Sequence, residues 1–163
     1  MILKKTFFGQ VKLIQPKKFE DTRGFLYESL NKDLESIIER PLSSFCHEYF
    51  SHSKKNVIRG LHYQFEQPQG KLIRCINGKI FDVFVDLRED SETFGKYDSV
   101  ILDSSNQDMI WIPEGFAHGF QCLSDDALCC YMCTDEYSPA SERCIKYDDP
   151  VLNIDWPSLE API

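Results

Sequence analysis

The stretch Lys71–Leu87 reads KLIRCINGKIFDVFVDL, and it carries a clear structural signal. Two runs rich in apolar and β-branched residues, Lys71–Ile76 and Lys79–Leu87, flank the dipeptide Asn77-Gly78. Asn-Gly between two such runs is the strongest short sequence signal for a β-hairpin, because both residues tolerate the positive φ angles of a tight turn. The stretch therefore predicts two consecutive strands joined by a hairpin.

Similar short apolar runs, separated by turn residues, continue on both sides of this stretch, and their length predicts strands. Nine further segments fit the pattern: residues 10–15, Phe25–Leu30, Phe45–Ser51, Val57–Gln64, Tyr97–Leu102, Asp108–Ile112, Gly119–Cys122, Ala127–Thr134 and Cys144–Lys146. The 163 residues contain no repeat or linker, so we expect one domain over residues 1–163. Its fold class is predicted to be all-β, either a sandwich or a small barrel.

One helix is predicted after residue 31. Asn31 is a favourable N-cap residue, and Pro41 follows the expected end of the helix. Between them the apolar residues Leu34, Ile37 and Ile38 recur at helical spacing. The chain is therefore expected to carry one or two short helices beside its strands.

The charge of the chain limits its partners. A net charge of −8 argues against nucleic acid, whose phosphates require clustered surplus Lys and Arg. A small anionic substrate remains compatible, because a few arginines in a cleft can reverse the local potential. No apolar run is long enough to span a membrane, and the first ten residues do not read as a signal peptide, so a cytoplasmic location is expected.

Seven cysteines are an odd number, so they cannot all form disulfides. We expect reduced thiols. The Cys130-x-x-Cys133 spacing lies in a predicted strand, where residues three apart face opposite sides, so a metal or redox pair is not predicted there.

Two histidines stand in segments with turn residues: His62 in Arg59–Gln64 and His118 in Pro113–Phe120. Each could be an ordinary buried core residue. Each could equally transfer protons, because the unperturbed imidazole pKa is about 6.5.

The second segment has the form P-x-G-x-x-H and resembles the second motif of the cupin superfamily. The first cupin motif supplies H-x-H and a later Glu as metal ligands, whereas this chain has His62-Tyr63-Gln64 followed by Pro68 and Gln69. Two imidazoles without a carboxylate make a poor site for a divalent metal. No metal and no other cofactor are therefore expected, and the histidines are predicted to act in proton transfer.

Further motifs occur in order along residues 20–157. They are Asp21-x-Arg23-Gly24-Phe25, Arg59–Gln64, Gln69–Leu72, Asp82-Val83-x-Val85–Arg88, Thr93–Lys96, Trp111–Phe120, Tyr137-x-Pro139-x-x-Glu142 and Ile154-x-Trp156-Pro157. Together they resemble the dTDP-4-dehydrorhamnose 3,5-epimerase family. The resemblance implies a cupin-type jelly-roll barrel, a homodimer and a nucleotide-sugar substrate in the synthesis of surface polysaccharides.

The resemblance also implies catalytic roles. The family removes a proton next to a sugar ketone and returns one from the opposite face, which requires a base, an acid and a group that stabilises the enolate oxygen. His62 matches the base, Tyr131 the acid, and Lys71 the residue beside the ketone. Asp82 matches a carboxylate that orients His118.

Substrate contacts are implied in the same way at Arg23, Glu28, Arg59, Gln64 and Glu142. Arginines suit a diphosphate, because guanidinium binds phosphate oxygens in bidentate fashion. Strict alternation along the strand would place Arg59 on the face opposite His62, so a β-bulge is expected between them.

The chain departs from the family pattern at three places. His47 and Tyr49 stand where members carry a Gln-x-Asn pair that contacts the nucleotide, and they are expected to make those contacts here. Glu136 replaces a frequent aromatic residue. Members also continue past Trp-Pro to an Asp that partners the base, whereas this sequence ends at Glu160–Ile163. The carboxylate partner of His62 is therefore not identified by the sequence.

Three other functions remain open from the sequence. The first is a single-position epimerase or a 3,4-ketoisomerase of a nucleotide sugar, which would use the same base. The second is a sugar-nucleotide binding module without activity. The third is a metal-dependent cupin enzyme.

Overall fold

The computed structural model describes residues 1–157, and they form the all-β fold that was predicted. The strands are β1 (Ile2–Phe7), β2 (Val11–Gln15), β3 (Lys18–Asp21), β4 (Gly24–Tyr27), β5 (His47–Lys54), β6 (Ile58–Gln64), β7 (Lys71–Asn77), β8 (Lys79–Asp86), β9 (Tyr97–Asp103), β10 (Met109–Ile112), β11 (Phe116–Cys122), β12 (Asp126–Cys133) and β13 (Glu142–Cys144). Helix α1 spans Lys32–Ile38, and a short 3₁₀ turn spans Leu42–Ser44. Neither has the length and apolar character that a membrane-spanning helix needs.

The strands form two large antiparallel sheets and one small hairpin. The six-stranded sheet has the order β1-β2-β10-β7-β12-β5, and the five-stranded sheet has the order β13-β6-β11-β8-β9. Within residues 1–157, strands β3 and β4 pair only with each other. Strands β1 and β3 were not predicted, because their side chains are mostly exposed and include lysines, as is common at sheet edges.

The predicted hairpin at Asn77-Gly78 is wrong, although a turn is present. Strand β7 pairs with β10 and β12, and β8 pairs with β11 and β9, so the two strands belong to different sheets. Gly78 has a φ angle of +83°, and its carbonyl accepts a hydrogen bond from the amide of Ser104. The turn carries the chain from one sheet to the other, because both strands already have partners on each side.

Other boundaries also differ from the prediction. The last strand is Glu142–Cys144 rather than Cys144–Lys146, because it pairs with β6 through Glu142 and Gln64. Strand β11 begins at Phe116, three residues before the predicted start. The chain end at Glu160–Ile163 lies outside the described residues.

The main core fills the space between the two large sheets. Ile73 from the six-stranded sheet packs in one cluster with Phe84 and Phe120 from the five-stranded sheet, and these side chains are essentially inaccessible to solvent. Burying one such side chain stabilises the fold by about 1.5–3 kcal/mol. Apolar side chains therefore fill most of the space between the sheets, and a cavity opens beside them.

Helix α1 covers part of the outer face of the six-stranded sheet. Leu34 and Ile38 are its buried residues, and they pack in a second cluster that includes Trp111. The Asn31 side chain accepts a hydrogen bond from the amide of Leu34 at 3.2 Å, so the predicted N-cap is confirmed. The helix ends at Glu39, which has a left-handed conformation with a φ angle of 57°.

Strands β6 and β11 approach each other very closely at two glycines. A Cβ atom on Gly60 would lie 2.6 Å from the Cα of Gly119, and one on Gly119 would lie 2.7 Å from the carbonyl oxygen of Arg59. These distances are shorter than van der Waals contact. The two glycines therefore allow the backbones that carry His62 and His118 to pack against each other.

We predict that Gly119→Ala destabilises the fold, because its methyl group would force β6 and β11 apart. Overpacking of this kind costs about 1–3 kcal/mol, so the midpoint of urea unfolding should fall. Ser99→Ala on the edge strand β9 is the control, and it should change stability by less than about 0.5 kcal/mol. An unchanged midpoint for Gly119→Ala would contradict the prediction.

Candidate active site

A cavity of about 740 Å³ opens between the two large sheets, and nine of the twelve predicted site residues line it. They come from both sheets and are His47, Tyr49, Arg59, His62, Gln64, Lys71, His118, Tyr131 and Glu142. Cavities of this size commonly bind small organic ligands. The polar groups that the sequence singled out are thus brought together at one end of the core.

A bulge in β6 brings Arg59 and His62 to the same cavity, as expected. His118 of β11 pairs with His62, but Phe120 pairs with Arg59, so β6 has one extra residue in this interval. An extra residue reverses the alternation of side chains beyond it. The Arg59 guanidinium is held there by hydrogen bonds to the Ser53 hydroxyl at 2.8 Å and to the His52 carbonyl at 3.2 Å.

The His62 imidazole lies beside a carboxylate that the sequence did not identify as its partner. Its Nδ1 atom is 3.2 Å from Oε1 of Glu142, while Oε2 of Glu142 accepts a hydrogen bond from the Tyr137 hydroxyl at 2.7 Å. The His62 and Glu142 atoms are close but are not aligned as a hydrogen bond.

Burial and nearby charges set the protonation of His62. Burial lowers the pKa of His62 below its ordinary value, and the charge of Glu142 partly opposes this effect. The positive charges of Lys71 and Arg59, and the neighbouring His118, lower it further. A lowered pKa keeps this imidazole neutral at neutral pH, which is the form that accepts a proton.

His118 has a different partner, which lies deeper in the protein. Its Nε2 atom is 2.8 Å from Oδ2 of Asp82, and both side chains are almost completely buried. Burial raises the pKa of Asp82, whereas the adjacent His118 opposes that rise. Asp82 does not line the cavity itself, but it contacts His118 directly and its charge favours the protonated form of Lys71.

Tyr131 of β12 reaches the cavity from the sheet opposite His62. Its ring stacks in parallel on Tyr49, with centroids 4.6 Å apart and an interplanar angle of 11°, and it meets the edge of His118 at 6.2 Å. The Tyr131 and Ser51 hydroxyl oxygens are 3.1 Å apart. Only 4 % of Tyr131 is exposed, and this burial raises its pKa well above the ordinary value, so the phenol is protonated.

Lys71 brings a buried positive charge to the cavity. The residue is 9 % exposed, and burial lowers its pKa, although Cys133, Glu142 and Asp82 oppose the change. Within residues 1–157 the structure records no hydrogen bond or ion pair for its ammonium group. An ammonium group without a fixed partner is well suited to an oxygen atom that gains negative charge.

Gln64 lines the cavity, but its amide already has partners. Its nitrogen donates to the carbonyls of Gln67 and Glu136, and its oxygen accepts from the amide of Ser138. These contacts anchor the loop that carries Tyr137. In this structure Gln64 therefore supports the cavity wall.

Arg23 and Glu28 do not reach this cavity. Arg23 lies at the turn of the β3–β4 hairpin, is highly exposed and pairs with Asp21. Glu28 follows that hairpin and accepts a hydrogen bond from Asn31. Neither residue lines the cavity of its own chain.

Eight cavity residues lie outside the predicted set, and two of them, Ser51 and Tyr137, carry hydroxyl groups that contact other site residues. Ser51 could have been found, because it follows His47 and Tyr49 at alternate positions of one strand and therefore faces the same side. Tyr137 lies in a loop, where no periodic pattern indicates the direction of a side chain. Among the described residues no three His, Cys, Asp or Glu side chains are grouped as a metal site would require.

Comparisons with known proteins identify the family of this chain. The family model described as dTDP-4-dehydrorhamnose 3,5-epimerase matches residues 5–163. The chain belongs to this family. The family's enzyme from Salmonella typhimurium is 47% identical over 164 residues, which cover 99% of this chain and 89% of that protein.

Solved structures of the 3,5-epimerase family share the fold. The Legionella pneumophila epimerase, in complex with dTDP-4-keto-L-rhamnose, has a TM-score of 0.94 and 46% identity, with 99% of this chain and 86% of that chain covered. The Bacillus anthracis epimerase, with TDP and pyrophosphate bound, has a TM-score of 0.94 and 37% identity, with 99% and 93% covered. The cupin-type jelly-roll prediction is confirmed by this likeness.

We predict that Glu142→Gln lowers the pKa of His62, because the substitution removes the negative charge that favours the imidazolium. The His62 ring signals in an NMR pH titration should therefore move to a lower midpoint. Glu136→Gln, which changes a carboxylate that does not line the cavity, should leave the midpoint in place. Equal midpoints in both variants would show that Glu142 does not act on His62.

Proposed function

We propose that this chain epimerises a nucleotide-linked 4-keto-6-deoxyhexose, of the type dTDP-4-dehydro-6-deoxyglucose, at C3 and C5. The observation that carries the proposal is the placement of His62 and Tyr131, which line one cavity from facing sheets. Inversion of a carbon centre requires a base and an acid on opposite faces of the sugar ring. Membership of the 3,5-epimerase family supports the same reaction.

In the proposed mechanism, neutral His62 removes the proton next to the C4 ketone. The Lys71 ammonium group stabilises the enolate oxygen that forms. Tyr131 then donates its proton to the same carbon from the opposite face, which inverts the centre. The His118–Asp82 pair holds the Tyr131 ring from its edge and places a second polar side chain at the cavity wall.

The remaining cavity residues are proposed to bind the nucleotide part. Arg59 provides a positive charge for the diphosphate. His47 and Tyr49 lie at alternate positions of β5 and face the cavity, so they are placed to contact the nucleoside. Glu142 is proposed to contact both His62 and a sugar hydroxyl, and Gln64 to support the loop beside them.

We also propose that the chain is a homodimer and that Arg23 and Glu28 serve the partner's cavity. Among the strands that the structure describes, none pairs with the β3–β4 hairpin, which exposes Phe19, Phe25 and Leu26. An apolar hairpin of this kind is costly to leave in water, and an equivalent surface on a second copy would cover it. Arg23, at the turn of the hairpin, would then reach the diphosphate of the substrate in the partner's cavity.

The reaction can be tested by hydrogen exchange in deuterated water. We expect incorporation at C3 and C5 of dTDP-4-keto-6-deoxyglucose, abolished in His62→Ala. Tyr131→Phe should retain exchange but lose product by about 100-fold or more, because proton removal survives without the opposing acid. His52→Ala and Tyr147→Phe change the same residue types outside the cavity and should behave like the unchanged protein.

The labelling pattern also distinguishes the alternatives. Incorporation at C3 alone would indicate a single-position epimerase, and a 3-keto product would indicate a ketoisomerase. Binding of the nucleotide sugar without exchange would indicate a binding module and would overturn the proposed reaction.

The dimer proposal predicts complementation between two inactive variants, Arg23→Ala and His62→Ala. Mixed dimers would contain one cavity with both native residues, so unfolding and refolding the two together should restore about a quarter of the native rate. Each variant refolded alone is the control. If the mixture stays as inactive as its components while native protein recovers, Arg23 does not serve the partner's cavity.

A further inference from the structure

The Tyr131 hydroxyl has a polar neighbour whose role the proposed mechanism leaves open. The Ser51 hydroxyl lies 3.1 Å from it, and either group can be the donor. The backbone fixes this contact, because β5 pairs with β12 in a register that places Ser51 opposite Cys129 and Tyr49 opposite Tyr131. Ser51 also lines the cavity, so it borders both the phenol and the space for substrate.

The Tyr131 ring has little freedom to move away from Ser51. Tyr49 stacks on one face at 4.6 Å, and the edge of His118 meets it at 6.2 Å. Aromatic pairs in these geometries are favourable beyond the burial of area. The phenol oxygen is therefore held in a fixed place, with the serine hydroxyl beside it.

This arrangement matters once Tyr131 has given up its proton. Burial raises the pKa of Tyr131, so a phenolate at this position is costly and must regain a proton quickly. The Cys129 thiol also interacts with Tyr131, but it is completely buried and has no contact with solvent. Ser51 borders the open cavity and can exchange protons with water.

We propose that Ser51 positions the Tyr131 hydroxyl and returns its proton after each inversion. When Tyr131 protonates the sugar carbon, the Ser51 hydroxyl donates its proton to the phenolate oxygen and takes one from water in the cavity. His62, half exposed, releases the proton that it removed to solvent, where this proton neutralises the hydroxide left by that water, so the protons balance over one cycle. This inference rests on the proposed function and adds a proton relay, from water through Ser51 to Tyr131, to the proposed mechanism.

The test compares two rates in deuterated water: deuterium uptake into recovered substrate and formation of inverted product. In Ser51→Ala, His62 should still remove the proton and return a deuteron to the same face. Inversion should be slowed, because the Tyr131 phenolate regains its proton more slowly. We expect the ratio of uptake to product to rise about tenfold, within the range that proton-transfer groups contribute. Ser51→Thr keeps the hydroxyl and should restore the ratio to within about threefold of native.

Cys129→Ala is the matched control, because it removes the other neighbour of the Tyr131 hydroxyl. Its ratio should stay within about twofold of native. A parallel fall of both rates in Ser51→Ala, or a raised ratio in Cys129→Ala alone, would overturn the relay. If Ser51→Ala does not fold, by circular dichroism, Ser51→Val, which has the shape of Ser51→Thr without a hydroxyl, replaces it and must raise the ratio.

The same assay separates this inference from the proposed function. A native protein that shows neither uptake nor product with any nucleotide-keto-sugar would contradict the proposed function itself. A native protein that shows both, together with an unchanged ratio in Ser51→Ala, would contradict only the relay.

Discussion

The close contact between β6 and β11 is the constraint on which the cavity depends. Gly60 and Gly119 lie where any side chain would collide with the facing backbone, and the bulge in β6 occurs in the same interval. Without that bulge, Arg59 and His62 would point to opposite faces of the sheet. One local irregularity in backbone pairing therefore decides which charged groups share the cavity.

The two cavity imidazoles are chemically identical, but their surroundings suit them to different roles. His118 is buried against Asp82 and is fixed by a short hydrogen bond. His62 is half exposed, faces Glu142 and carries a lowered pKa. A neutral, accessible imidazole is suited to accept a proton, whereas a buried imidazole beside a carboxylate is suited to hold its neighbours in place. This contrast supports the proposal that the base lies on β6 rather than on β11.

Much of the fold could be predicted from local patterns. The helix after Asn31 and most strands were found because capping and side-chain periodicity are local properties. The pairing of β7 and β8 was not predicted correctly, because the turn residues Asn77-Gly78 fix the backbone angles but not the partner of each strand.

In the site, the bulge between Arg59 and His62 was predicted correctly. The sequence shows that strict alternation would place these two side chains on opposite faces of the strand. The approach of Glu142 to His62 was not foreseen, because the two residues are 80 positions apart and meet only when β13 pairs with β6.

The turn at Gly78 has a consequence for how the chain folds. Because it sends β7 and β8 into different sheets, β7 pairs with β10 and β12 and β8 pairs with β11, and all of these partners are distant in sequence. A topology dominated by such non-local pairs has a high relative contact order, and chains of that kind fold in milliseconds to seconds rather than microseconds. The loops that bring these strands together must close, at a cost in chain entropy, before the hydrogen bonds between the strands can form and offset that cost. The cavity, which draws on strands from both halves of the sequence, is thus expected to be completed late in folding.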